Sequence, residues 1–205
     1  MAVKAEVVPD LLRGLCAKAG RVRMACIKDL ERLSRNSPEI LYPWFDRFVE
    51  LLDSENSILR WNATRILANL APVDKEAKLD AILEKFLAPI RGSQMIAAAV
   101  TLQSAPTLVR AKPYLAERVA LAMLGVARAR YQTEECRNVA LGHAIEAFGR
   151  MFDLVPDQGR VQRLVRTQRN NTRAGTRKRA EEFLVKYSQA GARRKDTRRR
   201  VPRET

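Results

Sequence analysis

Apolar positions recur at helical spacing along almost the whole chain, and the breaks between them carry capping residues. Ser37-Pro38-Glu39 offers an N-cap with proline at the first helical position. Behind it runs an apolar stripe through Ile40, Leu41, Phe45, Phe48 and Leu52. Pro43 lies inside that stripe, where a missing N–H and a ring clash kink a helix. Asp53-Ser54-Glu55-Asn56-Ser57 is a turn and cap cluster, and the next periodic segment covers 58–70. Further helices are predicted over 75–87, 94–109, 114–131, 134–154, 158–168 and 176–187. Alternating runs bounded by tight-turn dipeptides, the mark of strands, are absent from the sequence.

A second, longer period overlies the first. An arginine is followed three, seven and ten positions later by small or apolar residues, offsets that share one helical face. Arg23 leads Cys26, Leu30 and Leu33, and Arg60 leads Ala63, Leu67 and Leu70. Arg137 leads Ala140, Ala144 and Ala147, and Arg177 leads Ala180, Leu184 and Tyr187. A fifth unit has Met95 in the arginine place, with Ala98, Leu102 and Ala105 behind it. The anchors at 23, 60, 95, 137 and 177 are separated by 37, 35, 42 and 40 residues, a period that belongs to stacked helix pairs.

The segment Leu52–Ala63, with Asp53 in the turn and Arg60 early in the following helix, resembles the turn and second helix of a HEAT repeat. The resemblance extends over most of residues 10–188. It implies an all-α fold, an α-solenoid of about five stacked antiparallel helix pairs in a right-handed superhelical arc, with units 9–36, 37–72, 73–110, 111–155 and 156–188. It also implies a structural ladder through Arg23, Asp53, Arg60, Arg137 and Arg177. In this geometry the second helices line the concave side, which places Lys28, Arg32, Trp61, Asn62, Arg65 and Asn69 there, with Arg179, Glu182 and Lys186 at the other end.

Composition narrows the function. The 205 residues are 46% hydrophobic with a formal net charge of +15, a foldable and strongly basic chain. The excess is local: residues 160–205 hold 16 basic and 4 acidic residues, and 13 of the 16 are arginine. An asymmetry of this kind marks a phosphate-bearing or otherwise acidic partner. Three cysteines, Cys16, Cys26 and Cys136, form no metal spacing and read as reduced thiols. No stretch spans a bilayer: the longest apolar run, 119–127, is too short. A soluble protein of the cytoplasm, or of the nucleus in a eukaryote, is expected, with no membrane partner.

No catalytic signature is present. The only histidine, His143, lies mid-helix between Ala140 and Ala144 and reads as structural. No P-loop, no GxGxxG and no zinc spacing occurs, so no cofactor, metal or small-molecule substrate is expected. One enzymatic reading rests on fold analogy alone. Glycosylases for alkylated DNA bases are built from HEAT-like pairs, but neither Trp44 nor Trp61 has the Trp-x-x-Val-Asp-like context they use.

The expected function is therefore a non-catalytic binding scaffold whose concave face holds an acidic protein surface or peptide. The alternative is DNA or RNA binding through the basic end. On 160–173, Val161, Leu164, Val165 and Gln168 share one side, while Arg160, Arg163, Arg166 and Arg169 spread over the other. With Arg173, Lys178, Arg179 and Lys186 these are the candidate phosphate or acidic-partner contacts. Residues 189–205 read as a basic, disordered tail.

Overall fold

The computed structural model describes residues 5–199, with side-chain placement for 6–187, and among these residues there are helices and no strand. The α-helices are α1 (Val8–Gly14), α2 (Gly20–Asn36), α3 (Pro38–Leu41), α4 (Phe45–Leu51), α5 (Ser57–Leu70), α6 (Lys78–Ala81), α7 (Leu83–Leu87), α8 (Met95–Ala111), α9 (Ala116–Leu124), α10 (Glu134–Met151), α11 (Gln158–Thr167) and α12 (Ala174–Arg199). The longer helices form one row, α2 on α5, α5 on α8, α8 on α10 and α10 on α12. Shorter helices flank that row: α1 rests on α2, α4 on α5, α9 on α8 and α10, and α11 on α12.

The repeating apolar face explains the row. At the third position after four of the five anchors, Ala63, Ala98, Ala140 and Ala180 are buried to within 1% of complete, while Cys26 after Arg23 is half-buried. A larger side chain there would hold the neighbouring helix away, at a cost of about 1–3 kcal/mol. Leu30, Leu67, Leu102 and Ala144, at the seventh, are fully enclosed. Around them Phe45, Phe48, Phe86 and Phe148 belong to one continuous core that reaches from Val8 to Phe183. Each such ring contributes roughly 1.5–3 kcal/mol of burial.

Prolines break the shorter helices. Pro43 does more than kink: it separates α3 from α4 by a 3-10 turn, Tyr42–Trp44. Pro89 and Pro113 sit in similar 3-10 turns, Ala88–Arg91 and Pro113–Leu115. The helix expected over 75–87 starts later, at Lys78, and is divided into α6 and α7. Ala77 holds a left-handed φ of 55°, which ends one direction of chain before the next begins. Such a conformation costs an alanine about 1–2 kcal/mol. Asp74 offsets it by accepting the free N–H groups of Lys78 (3.0 Å) and Leu79 (2.9 Å) at the new helix start.

Asp74 also anchors a buried polar network that the sequence reading did not foresee. Its carboxylate accepts from Tyr42 Oη at 2.7 Å and pairs with Lys112 Nζ at 2.9 Å. Lys112 reaches Asp80 at 2.7 Å and Tyr114 Oη at 3.1 Å. The network ties the segments before α4, around α6 and before α9 to one another. Burial alone would push Asp74 up, but the Tyr42 hydroxyl, the Leu79 N–H and the Lys112 ammonium outweigh it and hold the carboxyl below its ordinary value.

The backbone of α12 is helical through Arg199, past residue 188 where the repeat units were expected to end. Alanine, arginine and lysine in that stretch are all strong helix formers. Residues 200–205 of the expected basic tail lie outside the described residues.

Candidate functional site

The anchor arginines act on the turns that precede them. Arg23 donates to the carbonyl of Ala17 at 2.9 Å, and Arg177 to those of Asn171 (2.7 Å) and Thr172 (2.9 Å). Arg60 donates to the carbonyls of Ser54 and Glu55 and reaches Gln94 Oε1 at 3.4 Å. Each of these three guanidinium groups thus satisfies carbonyls left open in the turn between consecutive helices. Asp53 is turned elsewhere, pairing with Lys85 at 2.6 Å, and Arg137 pairs with Glu134 at 3.8 Å.

Of the residues expected on a concave face, several are engaged within the protein. Asn62 is buried and donates to the carbonyl of Ile58 at 2.8 Å, and Asn69 donates to Ser34 Oγ at 2.9 Å. Arg32 pairs with Asp29 at 2.8 Å. Lys28 is exposed and Arg65 half-buried. Trp61 is half-buried and lines a cavity of about 240 Å³ with Phe86 and Pro89; its Nε1 has no hydrogen-bond partner among the described residues.

His143, on the same row of helices, is half-buried and lies 3.1 Å from Gln103 Nε2. Burial, with the Arg179 charge, lowers its pKa and so favours the neutral ring.

The basic C-terminal residues divide into two groups. Arg173 pairs with Glu135, Arg179 with Glu146 at 3.5 Å and Lys178 with Glu182 at 3.9 Å. Lys186 sits over the Tyr187 ring at 5.1 Å. In contrast Arg163, Arg166 and Arg169 are exposed and have no ion pair among the described residues. Arg160 has one weak pair, 4.0 Å to Asp157, whose carboxylate also caps the start of α11.

Two of these arginines belong to a cleft. Between α11 and the ends of α7 and α9 lies a depression of about 810 Å³, into which five arginines project: Arg91, Arg128, Arg130, Arg160 and Arg163. All five are exposed, and no carboxylate lines the cleft. Its remaining wall is aliphatic, built from Leu121, Leu124, Ala127 and Ala129 around Gly125. Arg91, Arg128, Arg130 and Arg163 have no ion pair among the described residues.

Local sequence places these side chains. Arg91 closes the 3-10 turn that Pro89 initiates, and Arg128 ends the turn Gly125–Arg128 after α9. Gly125 gives Arg91 room: a Cβ there would stand 3.1 Å from Arg91 Nε. At Gly159 a Cβ would meet the Asp157 carboxylate first, at 3.3 Å, and make only ordinary contact with Arg163 at 3.5 Å.

Sequence reasoning missed Arg91, Arg128 and Arg130, because they are scattered outside the arginine-dense end. A signal was present in Arg128-Ala129-Arg130, two arginines without a nearby acid at a helix end. Chemically, the cleft presents guanidinium forks on a fixed backbone, suited to carboxylate or phosphate oxygens. Among the described residues no group of His, Cys, Asp and Glu is placed to hold a metal ion, and no helix is long and apolar enough to cross a membrane. Comparison with known proteins gives no match to any family model and none to a curated protein.

Proposed function

We propose that the chain is a non-catalytic α-solenoid of HEAT type, five helix pairs in a right-handed arc, that binds nucleic acid through its phosphate backbone. The carrying observation is the cleft lined by Arg91, Arg128, Arg130, Arg160 and Arg163 without a single carboxylate. Side-by-side packing of α2, α5, α8, α10 and α12 in chain order supports the solenoid part of the reading. Gathering like charges is unfavourable in the free protein, and a polyanion relieves it while releasing its own counterions.

An acidic protein surface on the concave face is the competing reading. The cation expected at one end of that face, Arg179, already has an internal carboxylate, Glu146. At the other end Lys28 and Arg65 have no ion pair among the described residues, but the cleft and α11 gather six such arginines, Arg91, Arg128, Arg130, Arg163, Arg166 and Arg169, which favours the phosphate reading. Three free thiols and such a partner fit the cytoplasm, or a nucleus.

Salt dependence tests this. Five phosphate contacts weaken binding to duplex DNA about 500-fold between 50 and 200 mM salt. Fluorescence anisotropy with a labelled duplex and the full chain should show that steepness. Polyglutamate of equal charge should compete poorly. No binding to nucleic acid at 50 mM salt, or equal affinity for polyglutamate, would overturn the proposal.

A further inference from the structure

We infer that the ligand of the arginine cleft is double-stranded nucleic acid, gripped by its phosphates without regard to sequence. The inference rests on the nucleic-acid reading above and adds which form is bound, and where.

The lining of the cleft carries the argument. Single-stranded nucleic acid is held by aromatic platforms on which bases stack, each stacked base contributing about 1–3 kcal/mol. No aromatic residue lines the cleft, whose uncharged wall is leucine, alanine and glycine. Nor does α11, Gln158–Thr167, contain one. An unpaired strand lying here would have its bases unsupported. A duplex keeps its bases stacked on each other and turns only phosphate and sugar outward, which is what guanidinium groups on an aliphatic wall can use.

Sequence readout by this lining is limited to what arginine alone can do, a bidentate contact to guanine O6 and N7 from within the major groove. Reading adenine or cytosine needs amide or carboxylate side chains at the base edge. The cleft has no Asn, Gln, Asp or Glu in its lining. Arg91 and Arg128 end short 3-10 turns, Arg160 and Arg163 stand in the first turns of α11, and Arg130 lies in the loop just after Arg128.

The basic surface extends beyond the cleft. Arg166 and Arg169, exposed and unpaired among the described residues, add charge along α11 and past its end, each turned about 60° further round the helix from the arginine before it. From residue 160 to 169 the axial rise is about 13 Å, or roughly four base pairs of duplex. Charge density decides the preference between forms. The dependence of log affinity on log salt is about 0.9 per contact for duplex and about 0.7 for a single strand. With equal affinity for the two forms at 1 M salt, five contacts favour duplex about sevenfold at 0.15 M.

The experiment uses the full chain in anisotropy titrations at 0.15 M salt. Its probes are two mixed-sequence duplexes of about 20 base pairs and their separated strands. The double variant Arg91→Ala/Arg128→Ala is compared with Arg13→Ala, an exposed arginine paired with Asp10 near the N-terminus. Both duplexes should bind within twofold of each other and at least fivefold tighter than either strand. Loss of two contacts should weaken duplex binding about 30-fold, while Arg13→Ala removes one charge with little effect. Equal or tighter binding of a strand would overturn the duplex inference and leave the nucleic-acid reading standing. More than tenfold preference for one duplex would overturn sequence independence. Equal behaviour of the two variants would remove the cleft as the site, and absence of binding to every probe would sink the proposed function itself.

Discussion

Replacing Lys112 by methionine tests the buried network that ties together the segments before α4, around α6 and before α9. The Lys112 side chain is 6% exposed and that of Asp74 is 0% exposed, so the ion pair has almost no water to fall back on. Removing one partner of a buried pair costs about 3–5 kcal/mol, because the other charge stays behind. Here Asp74 keeps the Tyr42 hydroxyl and the N–H groups of Lys78 and Leu79, and Asp80 is 25% exposed and can hydrate. These remaining partners put the cost at the lower end, about 3 kcal/mol. For a chain of this size that is a fall in melting temperature of roughly 6–12 °C. Circular dichroism with urea and thermal denaturation reads it. The double variant Asp74→Asn/Lys112→Met removes both charges and should recover most of the loss, a coupling seen in the cycle of the four proteins. A cost under about 1 kcal/mol for Lys112→Met, or a double variant as unstable as the sum of the singles, would refute the account of a mutually dependent pair.

Alkaline pH should unfold the protein through groups protonated more firmly when folded. Burial, aided by the Asp74 hydrogen bond, raises Tyr42 to about 12, and burial raises Tyr131 to about 12. At Lys112, burial opposes the charge, yet the bonds to Asp80, Tyr114 and Asp74 prevail and raise it. A raised folded value means stability that is complete below pH 10 and is lost as pH climbs from there toward 12. Tyr131→Phe, which also loses the bond to the Ile90 carbonyl, should start less stable at pH 8 and decline less steeply; an identical slope would refute this assignment. The depressed Asp74 works in the opposite sense, so its contribution is present above the ordinary carboxylate range and disappears as pH falls through its folded value. Gly142→Ala should destabilise by about 1–3 kcal/mol, since its Cβ would stand 3.0 Å from Thr176 Oγ1. Thr176 is fully buried and bonded to the Asn138 carbonyl at 2.7 Å, so it has nowhere to go. At Gly125 the same replacement meets only the long, exposed Arg91 side chain. Chemical denaturation should separate the two variants, and equal stabilities would show that the close approach at Gly142 is unimportant.

Helix content was legible because it depends on local periodicity and caps. Thr133 illustrates this: its hydroxyl accepts the Cys136 N–H at 3.1 Å and starts α10 at Glu134, where the sequence placed it. The apolar face behind each anchor was equally legible, since offsets of three, seven and ten select one side of a helix whatever it packs against. The boundary that moved to Lys78 was set by a local side-chain cap and a local backbone turn, not by the apolar period. Lys78 begins α6 because Asp74 caps it and Ala77 turns left-handed, neither of which periodicity registers.

The basic chemistry divides in the same way. That arginines crowd residues 160–205 is a matter of composition, visible in the chain alone. Which of them stay unneutralised depended on partners 33 to 38 residues away, as when Arg179 meets Glu146 and Arg173 meets Glu135. Only the packed structure could join Arg91 and Arg128 to Arg160 and Arg163, because helix stacking brings together side chains that the sequence holds dozens of residues apart. Local propensity and periodicity act within a few turns and so reside in the sequence. Charge convergence is a property of distance in space, and tertiary structure alone decided it.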